Sequence, residues 1–585
     1  MRIKTARHIG YCFGVRRAMN LTFGCLERGK GPVYSHGPLI HNQKALDLLE
    51  SKGLLAWPPG GLAMAAPGAT VIIRAHGLAP EAEARLRASG LGVVDATCPR
   101  VAGVQRLVAH EVGQGLDIVI WGTAGHPEVE GLLGYAQGRG HVVAGPEDVA
   151  GLGGLGRVLL VAQTTQDLER WPEMEKAVGE RFPGARMVNT VCQATAKRQS
   201  EARRLAGECG ALVVVGGRDS GNTGRLGQIG RGAGLPTIVV EDPGEIGPEF
   251  VRGVACVGLV AGASTPLWQI RSVRQKLEEL DRVGESSPIS FLKRLTRALV
   301  LSNIYIGLGA GCLGQAMARV LGLGLPGVFF GLFFFLIQAM HLLNAFVDRG
   351  SSRSNDPDRN VFLVKYRGFL VVCGAASFLF SLSAAWLAGP GVLALVLFLA
   401  LCRLAYALPV LGGLLGRWGV RSAKDLPLAK TLATGLGWAI LLSLAPLLAS
   451  PPVIPRTVGG VAMSGLVLAL VFINLLCRTL VMDFQDWLGD RMFGGRTSVT
   501  LLGWGRASRL VWGLISFWAA FMLAAWLLWL PRSPIPAMLV PGPALNALTL
   551  WHLHRRMGMG GYMFDFLLDG QFLLTGLAAW LWTLA

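Results

Sequence analysis

Residues 93–109 read VVDATCPRVAGVQRLVA. A short apolar run ends in a cluster of small and polar residues that holds Cys98, and a pattern of helical period follows. The arrangement occurs twice more, around Cys12 in HIGYCFGV and Cys192 in NTVCQAT, at separations of 86 and 94 residues. Strand candidates are Thr70–Arg74, Gly92–Asp95, Asp117–Trp121, Arg157–Ala162, Ala211–Gly216, Thr237–Glu241 and Ala255–Ala261. Several end in clusters of their own: RAHG, GTAGHPEVEG, AQTTQ, GGRDSGNTG and AGAST. Strands that alternate with helical patterns predict parallel α/β layers. Ligands of such sheets bind beyond the carboxyl ends of strands. The first half therefore reads as three pseudo-repeated α/β units around a shared centre.

A thiol at a helix N-terminus is favoured as thiolate by the free N–H groups and the dipole. Three convergent thiolates repel one another unless a metal neutralises them. Iron–sulfur clusters and zinc both suit thiolates, and three protein ligands leave one coordination position open. Zinc in a metal-sensing regulator is thus a rival to redox chemistry at this point. Cys25, Cys209 and Cys256 fall within apolar helix or strand patterns and read as small buried residues.

Around the thiols stand His41 in PLIHN, His76 in RAHG and His126 in GHPEVEG. Ser220 and Asn222 in RDSGNTG, and Ser264 in AGAST, add hydroxyl and amide donors. Small donors around bare backbone suit a diphosphate. No GxxxxGK[ST] occurs, so a nucleotide P-loop does not explain them. Glu128, two residues after His126, is placed to donate protons.

The 585 residues correspond to about four domain-equivalents. The apolar fraction of 52% and a mean hydropathy of +0.46 exclude disorder, collagen and a small disulfide scaffold. The net charge of +18 is uneven. Residues 1–288 carry 32 basic and 28 acidic residues; residues 289–585 carry 23 and 9, and all nine acids there are Asp. The basic residues of the second half sit between long apolar runs, which is a membrane-topology pattern and not the basic face of a nucleic-acid binder. No signal peptide pattern precedes the first half, so it is expected in the cytoplasm with reduced thiols.

GYCFGV, HN, AHG, DATCP, GHPEVEG, QTT, VCQATAKRQ, DSGNT and AGAST occur in the order found in 4-hydroxy-3-methylbut-2-enyl diphosphate reductases, the LytB/IspH family. The resemblance spans essentially residues 1–280. It implies three α/β domains around a [4Fe–4S] cluster held by Cys12, Cys98 and Cys192. It implies removal of the hydroxyl of (E)-4-hydroxy-3-methylbut-2-enyl diphosphate, giving isopentenyl and dimethylallyl diphosphate, the last step of the non-mevalonate isoprenoid pathway. His41, His76, His126, Ser220, Asn222 and Ser264 match diphosphate contacts, Glu128 the proton donor, and Thr164 and Thr195 threonines beside the substrate hydroxyl. Gly221 departs from the Ser that many members carry. Electrons are expected from a ferredoxin or flavodoxin.

After a linker at 283–290, apolar runs near 298–318, 326–347, 368–388, 390–411, 428–449, 458–482, 508–530, 535–552 and 571–585 predict an all-α polytopic membrane domain of about nine spans over 291–585. Loops 349–367, 412–427, 483–507 and 553–570 carry thirteen Lys/Arg, and the alternate connections three. This places the first set, and the first half, on the cytoplasmic side of the inner membrane. The acids lie on that same side. Asp425, Asp565 and Asp569 read as ordinary solvated loop residues; the groups around Asp348 and Asp483 read as functional.

RTLVMDFQDWLGDRMFGGRTSVTLLG, with Asp483, Asp486 and Asp490, resembles the second aspartate motif of the UbiA superfamily of membrane prenyltransferases. NAFVDRGSSRSNDPDR keeps Asn344 and Asp348 of the first motif, with Ala345 and Ser352 at two Asp positions. This resemblance implies Mg²⁺ at Asn344, Asp348, Asp483, Asp486 and Asp490, with Arg359 opposite. It implies prenyl transfer from a polyprenyl diphosphate among membrane lipids. The alternative is a non-catalytic anchor.

Overall fold

The computed structural model describes the chain except residues 29–30, 59–60, 282–287, 322, 324–326, 348–356, 408–425, 427, 450–457, 493–496, 530–539, 557–560 and 583–585. It divides into two compact units, Met1–Glu285 and Ser286–Ala585.

The first unit holds twelve strands: β1 (Arg2–Thr5), β2 (Val33–His36), β3 (Leu54–Ala56), β4 (Thr70–Ile73), β5 (Gly92–Asp95), β6 (Asp117–Trp121), β7 (Gly140–Val143), β8 (Val158–Ala162), β9 (Arg186–Met187), β10 (Ala211–Val215), β11 (Thr237–Val240) and β12 (Cys256–Ala261). They form three four-stranded sheets, β3-β2-β4-β5, β7-β6-β8-β9 and β11-β10-β12-β1, parallel throughout. All seven predicted strands are present. The strands that prediction passed over, such as β2 with VYSH and β9 with two residues, lack a long apolar run.

The runs are apolar on both faces because helices cover both faces. Ile118 and Ile120 of β6 pack with Val104, Val108, Val129 and Leu132. Val119 and Trp121 of the same strand pack on the other side with Trp171, Met174 and Val178. Burying such a side chain contributes about 1.5–3 kcal/mol.

The three sheets share one order, but the repeat does not start at residue 1. β1 completes the third sheet, pairing with β12 at Arg2↔Cys256 through Thr5↔Leu259. The unit that carries Cys12 is therefore assembled from the two ends of this half. The Met1 ammonium on Asp281 (2.5 Å) ties those ends together.

The second unit is helical. Helices Ile304–Val320, Gly327–Val347, Arg367–Ala388, Pro390–Ala407, Ala429–Ala449, Val458–Met492, Trp504–Trp529, Pro541–Arg556 and Tyr562–Trp582 fall on the nine apolar runs. The count of about nine spans is approximate. Among the described residues six helices are long and apolar enough to cross a membrane alone. A seventh span is available if Phe291–Leu301 and Ile304–Arg319, bent by 73°, count as one. Pro390–Tyr406 is a shorter apolar helix. The bend sits at Asn303, whose φ of 60° is one that Asn tolerates.

Helix Ile304–Val320 packs against Gly327–Val347 and Tyr562–Trp582, and Ala429–Ala449 against Val458–Met492. At Gly576 a side chain would overlap Cys312 (its Cα 3.0 Å away), so the first and last of these helices approach backbone to backbone. Phe369, Leu379, Trp386, Leu387 and Leu401 point outward, as a lipid-facing surface requires.

Candidate functional site

The three candidate thiols are equivalent by construction. Each follows the edge strand of its sheet (β5, β9 or β1) and stands just before a helix: Pro99–Gly113, Gln193–Glu208 or Phe13–Arg28. Each cysteine amide donates to a carbonyl in the loop after the neighbouring strand: Cys98 to Ala75 (2.9 Å), Cys192 to Thr164 (3.0 Å) and Cys12 to Ala263 (3.0 Å). Each cysteine carbonyl accepts the first helical bond at 2.9 Å, from Ala102, Ala196 and Arg16. The shared sheet order and these bonds aim three helix N-termini at one place.

Val15 N–H points at Cys12 Sγ from 3.5 Å. Burial pushes the Cys98 thiol up; the amides of Arg100 and Val101 pull it down, and charge on Cys12 and Cys192 pushes it up again. The three sulfurs therefore sense one another. A Cβ at Gly14 would stand 2.5 Å from Cys98 Sγ, so any side chain here would have to displace that sulfur. Arg198, buried on the helix that follows Cys192, donates to the carbonyls of His8 (2.8 Å), Gly10 (2.7 Å) and Ala261 (3.3 Å). It thereby fixes the loop of Cys12 and places a cation beside Cys12 and Cys192, although burial lowers its pKa.

The histidines follow the same logic. His41 and His126 lie in the loops after β2 and β6, and Ser220 in the loop after β10. His76, Thr164 and Ser264 lie after β4, β8 and β12. The three imidazoles form a triangle with ring centroids 4.5, 5.4 and 5.5 Å apart. Their ligand nitrogens lie within 4.8 Å of one another.

His41 Nε2 and His76 Nδ1 are buried without partners, as are both polar atoms of the Asn222 side chain. Burial lowers all three histidine pKa values, and the Arg74 cation lowers them further: His126 to about 4, His76 well below its usual value. His126 Nδ1 accepts from Glu128 N–H (3.1 Å), so its neutral form carries the proton on Nε2. Ser264 Oγ donates to the His41 carbonyl (2.8 Å), and Ser220 caps helix Gly221–Gly232 through Thr223 N–H. Unpartnered buried ring nitrogens beside a cation are polar groups that a ligand would have to satisfy.

Glu128 is buried, its two oxygens accepting from Thr164 N–H (2.7 Å) and Thr164 Oγ1–H (2.9 Å). Burial raises its pKa, and the Thr164 bonds oppose the rise. Thr195 is buried in the first turn after Cys192. Arg74 and Arg198 were passed over in the sequence reading, although both lie inside its motifs, RAHG and VCQATAKRQ. Arg198 matters through its bonds to distant carbonyls, and Arg74 through its charge on the three histidines.

With this geometry in place, the comparisons decide the family. The sequence model described as LytB protein matches residues 3–278. A 4-hydroxy-3-methylbut-2-enyl diphosphate reductase of Geobacter sp. (strain M21) is 42% identical over 283 residues, 48% of this chain and 99% of that protein. The first half of this chain belongs to the LytB family.

A solved (E)-4-hydroxy-3-methyl-but-2-enyl diphosphate reductase, described as the terminal enzyme of the non-mevalonate pathway, is 40% identical to the LytB half. The alignment covers 48% of this chain and all of that one, with a TM-score of 0.38. A UbiA homolog from Archaeoglobus fulgidus bound to GPP and Mg²⁺ is 14% identical, covering 49% of this chain and 98% of that one, with a TM-score of 0.32.

Outside the LytB half, Asp483 and Asp486 lie on helix Val458–Met492, with Asp490 further along it. Asp483 is fully buried, its Oδ2 accepting from Ser498 N–H (3.2 Å) and Ser498 Oγ–H (2.8 Å). Asn344 lies in the last turn of helix Gly327–Val347 with its Oδ1 buried and unpartnered. Asp348, Asp356, Asp425 and the side chains of Asp358 and Asp490 lie outside the described residues.

Asp565 and Asp569 correct the sequence reading. Both are buried in helix Tyr562–Trp582, Asp565 in its first turn and Asp569 one turn on, and paired: Arg359 donates to Asp565 (2.8 Å) and to Asn303 (2.9 Å), and Arg478 to Asp569 (2.8 Å). Arg359, expected to face a diphosphate, has a carboxylate against it.

Proposed function

We propose that the first half reductively dehydroxylates (E)-4-hydroxy-3-methylbut-2-enyl diphosphate at a [4Fe–4S] cluster held by Cys12, Cys98 and Cys192. The carrying observation is the threefold equivalence of the thiols, each at a helix N-terminus on the same amide-to-carbonyl bond. The Cys98 thiol feels charge on both Cys12 and Cys192, which supports one shared centre for the three sulfurs.

The reaction breaks one C–O bond, forms one C–H bond and releases water, consuming two electrons and two protons. When bound, the cluster supplies the electrons and Lewis acidity. The rest belongs to the side chains. His41, His76, His126, Asn222, Ser220, Ser264 and Arg74 hold the diphosphate and so fix the allylic end, removing entropy from the barrier. Glu128 holds a proton because burial favours its neutral form. In that state the Glu128–Thr164 bond reverses, Glu128 donating, and the Thr164 hydroxyl hydrogen turns to the substrate hydroxyl. Thr195 lines the same end. Anaerobic purification should give brown protein with about four iron and four sulfide per chain and reductase activity; zinc with no sulfide overturns the reading.

We further propose that the second half, in the cytoplasmic membrane with the first half on the cytoplasmic side, transfers a prenyl group from a polyprenyl diphosphate. Asp483, Asp486 and Asp490 occupy positions i, i+3 and i+7 of one helix, hence one face, and carboxylate oxygens are what Mg²⁺ takes. Asn344 and Asp348 would complete the set. Asp483 also anchors Ser498, so one of its oxygens is structural. Asp486→Ala should abolish transfer of labelled prenyl groups in vesicles. Transfer that survives unchanged makes this half an anchor.

A further inference from the structure

We propose that Cys209 and Cys256 form a reversible disulfide, a redox clamp outside the substrate site. Their Sγ atoms lie 2.8 Å apart. Backbone register sets this approach. Cys209 ends helix Gln193–Glu208, Cys256 opens β12, and Gly210 N–H donates to the Cys256 carbonyl at 2.9 Å. One step on, Ala211 and Val257 are ladder partners of parallel strands. Neighbouring strands run about 4.8 Å apart, inside the span a disulfide bridges.

The two thiols are unequal. Cys209 is buried, and burial plus its bond to Cys256 push it up to about 12. Cys256 is half-buried and reachable by a small molecule. Lys4 on β1 stands near both sulfurs, its ammonium held in an ion pair with Glu208 (2.8 Å).

The chemistry balances with a small disulfide as oxidant. The Cys256 thiolate attacks oxidised glutathione, forming a mixed disulfide and releasing one glutathione thiolate. Cys209 then loses its proton to solvent and attacks the Cys256 sulfur, releasing the second. The protein gives up two electrons and two protons, and one small disulfide becomes two thiols.

The clamp has structural consequence because of where its elements lead. The helix ending at Cys209 begins after Cys192, while β12 leads to Ser264 and pairs with β1, which leads to Cys12. Oxidation therefore locks the far ends of elements whose near ends carry the candidate ligands, and closes the third sheet against local opening.

The test uses the full chain, purified anaerobically and incubated with oxidised glutathione, then alkylated and peptide-mapped. A Cys209–Cys256 linked peptide, reversed by dithiothreitol, is expected. Cleavage within the third sheet under limited proteolysis should slow at least about tenfold on oxidation. Cys209→Ala should keep glutathione on Cys256 and show no slowing, and Cys256→Ser should show neither adduct nor slowing. Glutathione persisting on Cys256 of the unaltered chain, no reaction at either thiol, or equal slowing in Cys209→Ala overturns the proposal.

Discussion

In the first half each candidate ligand stands just past the end of a parallel strand, where a backbone bond fixes it and helix amides face it. In the second half four charged side chains on helices are matched in two pairs: Arg359 with Asp565, 206 residues away, and Arg478 with Asp569, 91 residues away. The first arrangement leaves polar atoms unpartnered for a ligand to satisfy. The second satisfies these charges against one another, since lipid offers no water to do so, while Asn344 Oδ1 in the same half stays unpartnered. The same residue types therefore mean different things in the two halves, and the difference can be tested.

The largest effect is expected at the thiols. Cys98→Ser should lose iron and sulfide together and take reductase activity below detection, with circular dichroism unchanged. Partial iron retention would mean the three positions are not equivalent. Next comes Glu128→Gln, which keeps an acceptor for Thr164 N–H but cannot deliver a proton. Turnover should fall about 10²–10⁴-fold with KM little changed. A rise in KM alone would move Glu128 from proton transfer to binding.

The second half should respond in stability. Arg478→Leu leaves Asp569 buried and unpaired, at a cost of about 3–5 kcal/mol. The double variant Arg478→Leu, Asp569→Leu should recover most of that loss in thermal unfolding in detergent, since a buried pair is replaceable by apolar side chains. If both variants lose prenyl transfer equally, the pair serves the reaction as well as the bundle.

The histidine triangle predicts a pH effect with a definite sign. The free site depresses its imidazoles, His126 to about 4, below the ordinary value of about 6.5. Between those limits the unfolded chain binds protons that the folded site cannot, so the first half loses stability as pH falls through that window. A diphosphate reverses the field and raises these pKa values. Pyrophosphate should therefore bind with proton uptake near pH 6, read by calorimetry in buffers of different ionisation enthalpy, and restore stability there. Binding without proton uptake would place the anion away from His41, His76 and His126.

How much of this was legible follows from the same contrast. Cys12, Cys98, Cys192, the histidines and Glu128 were readable because each sits in a local pattern of strand, small-residue cluster and helix. The sheet order was not. Nothing in RIKT announces that β1 pairs with a strand 254 residues later, where Arg2 meets Cys256. Cys209 and Cys256 read as small buried residues because each lies in an apolar pattern; only register brings them together. Asp565 and Asp569 read as solvated because their partners are on other helices. Periodicity reports what a residue does to its own element, and cross-chain pairing leaves no such trace.

The smallest prediction concerns Gly221, the position where the family resemblance leads to the expectation of Ser. Gly221 opens the helix whose N-cap is Ser220, next to the unpartnered Asn222. A Cβ there would meet Thr165 Oγ1 at 3.5 Å and Gln163 Nε2 at 3.8 Å, ordinary contact distances, and the position does not need positive φ. Gly221→Ser should therefore fold without strain. One added hydroxyl on a charged phosphate is worth about 1.5–3 kcal/mol at most, less what the exposed position gives back to water. A fall in KM of a few-fold, with turnover unchanged, is the expected result. No change in KM would mean that the helix amides already saturate that phosphate oxygen, and that glycine is used here so that backbone can do the binding.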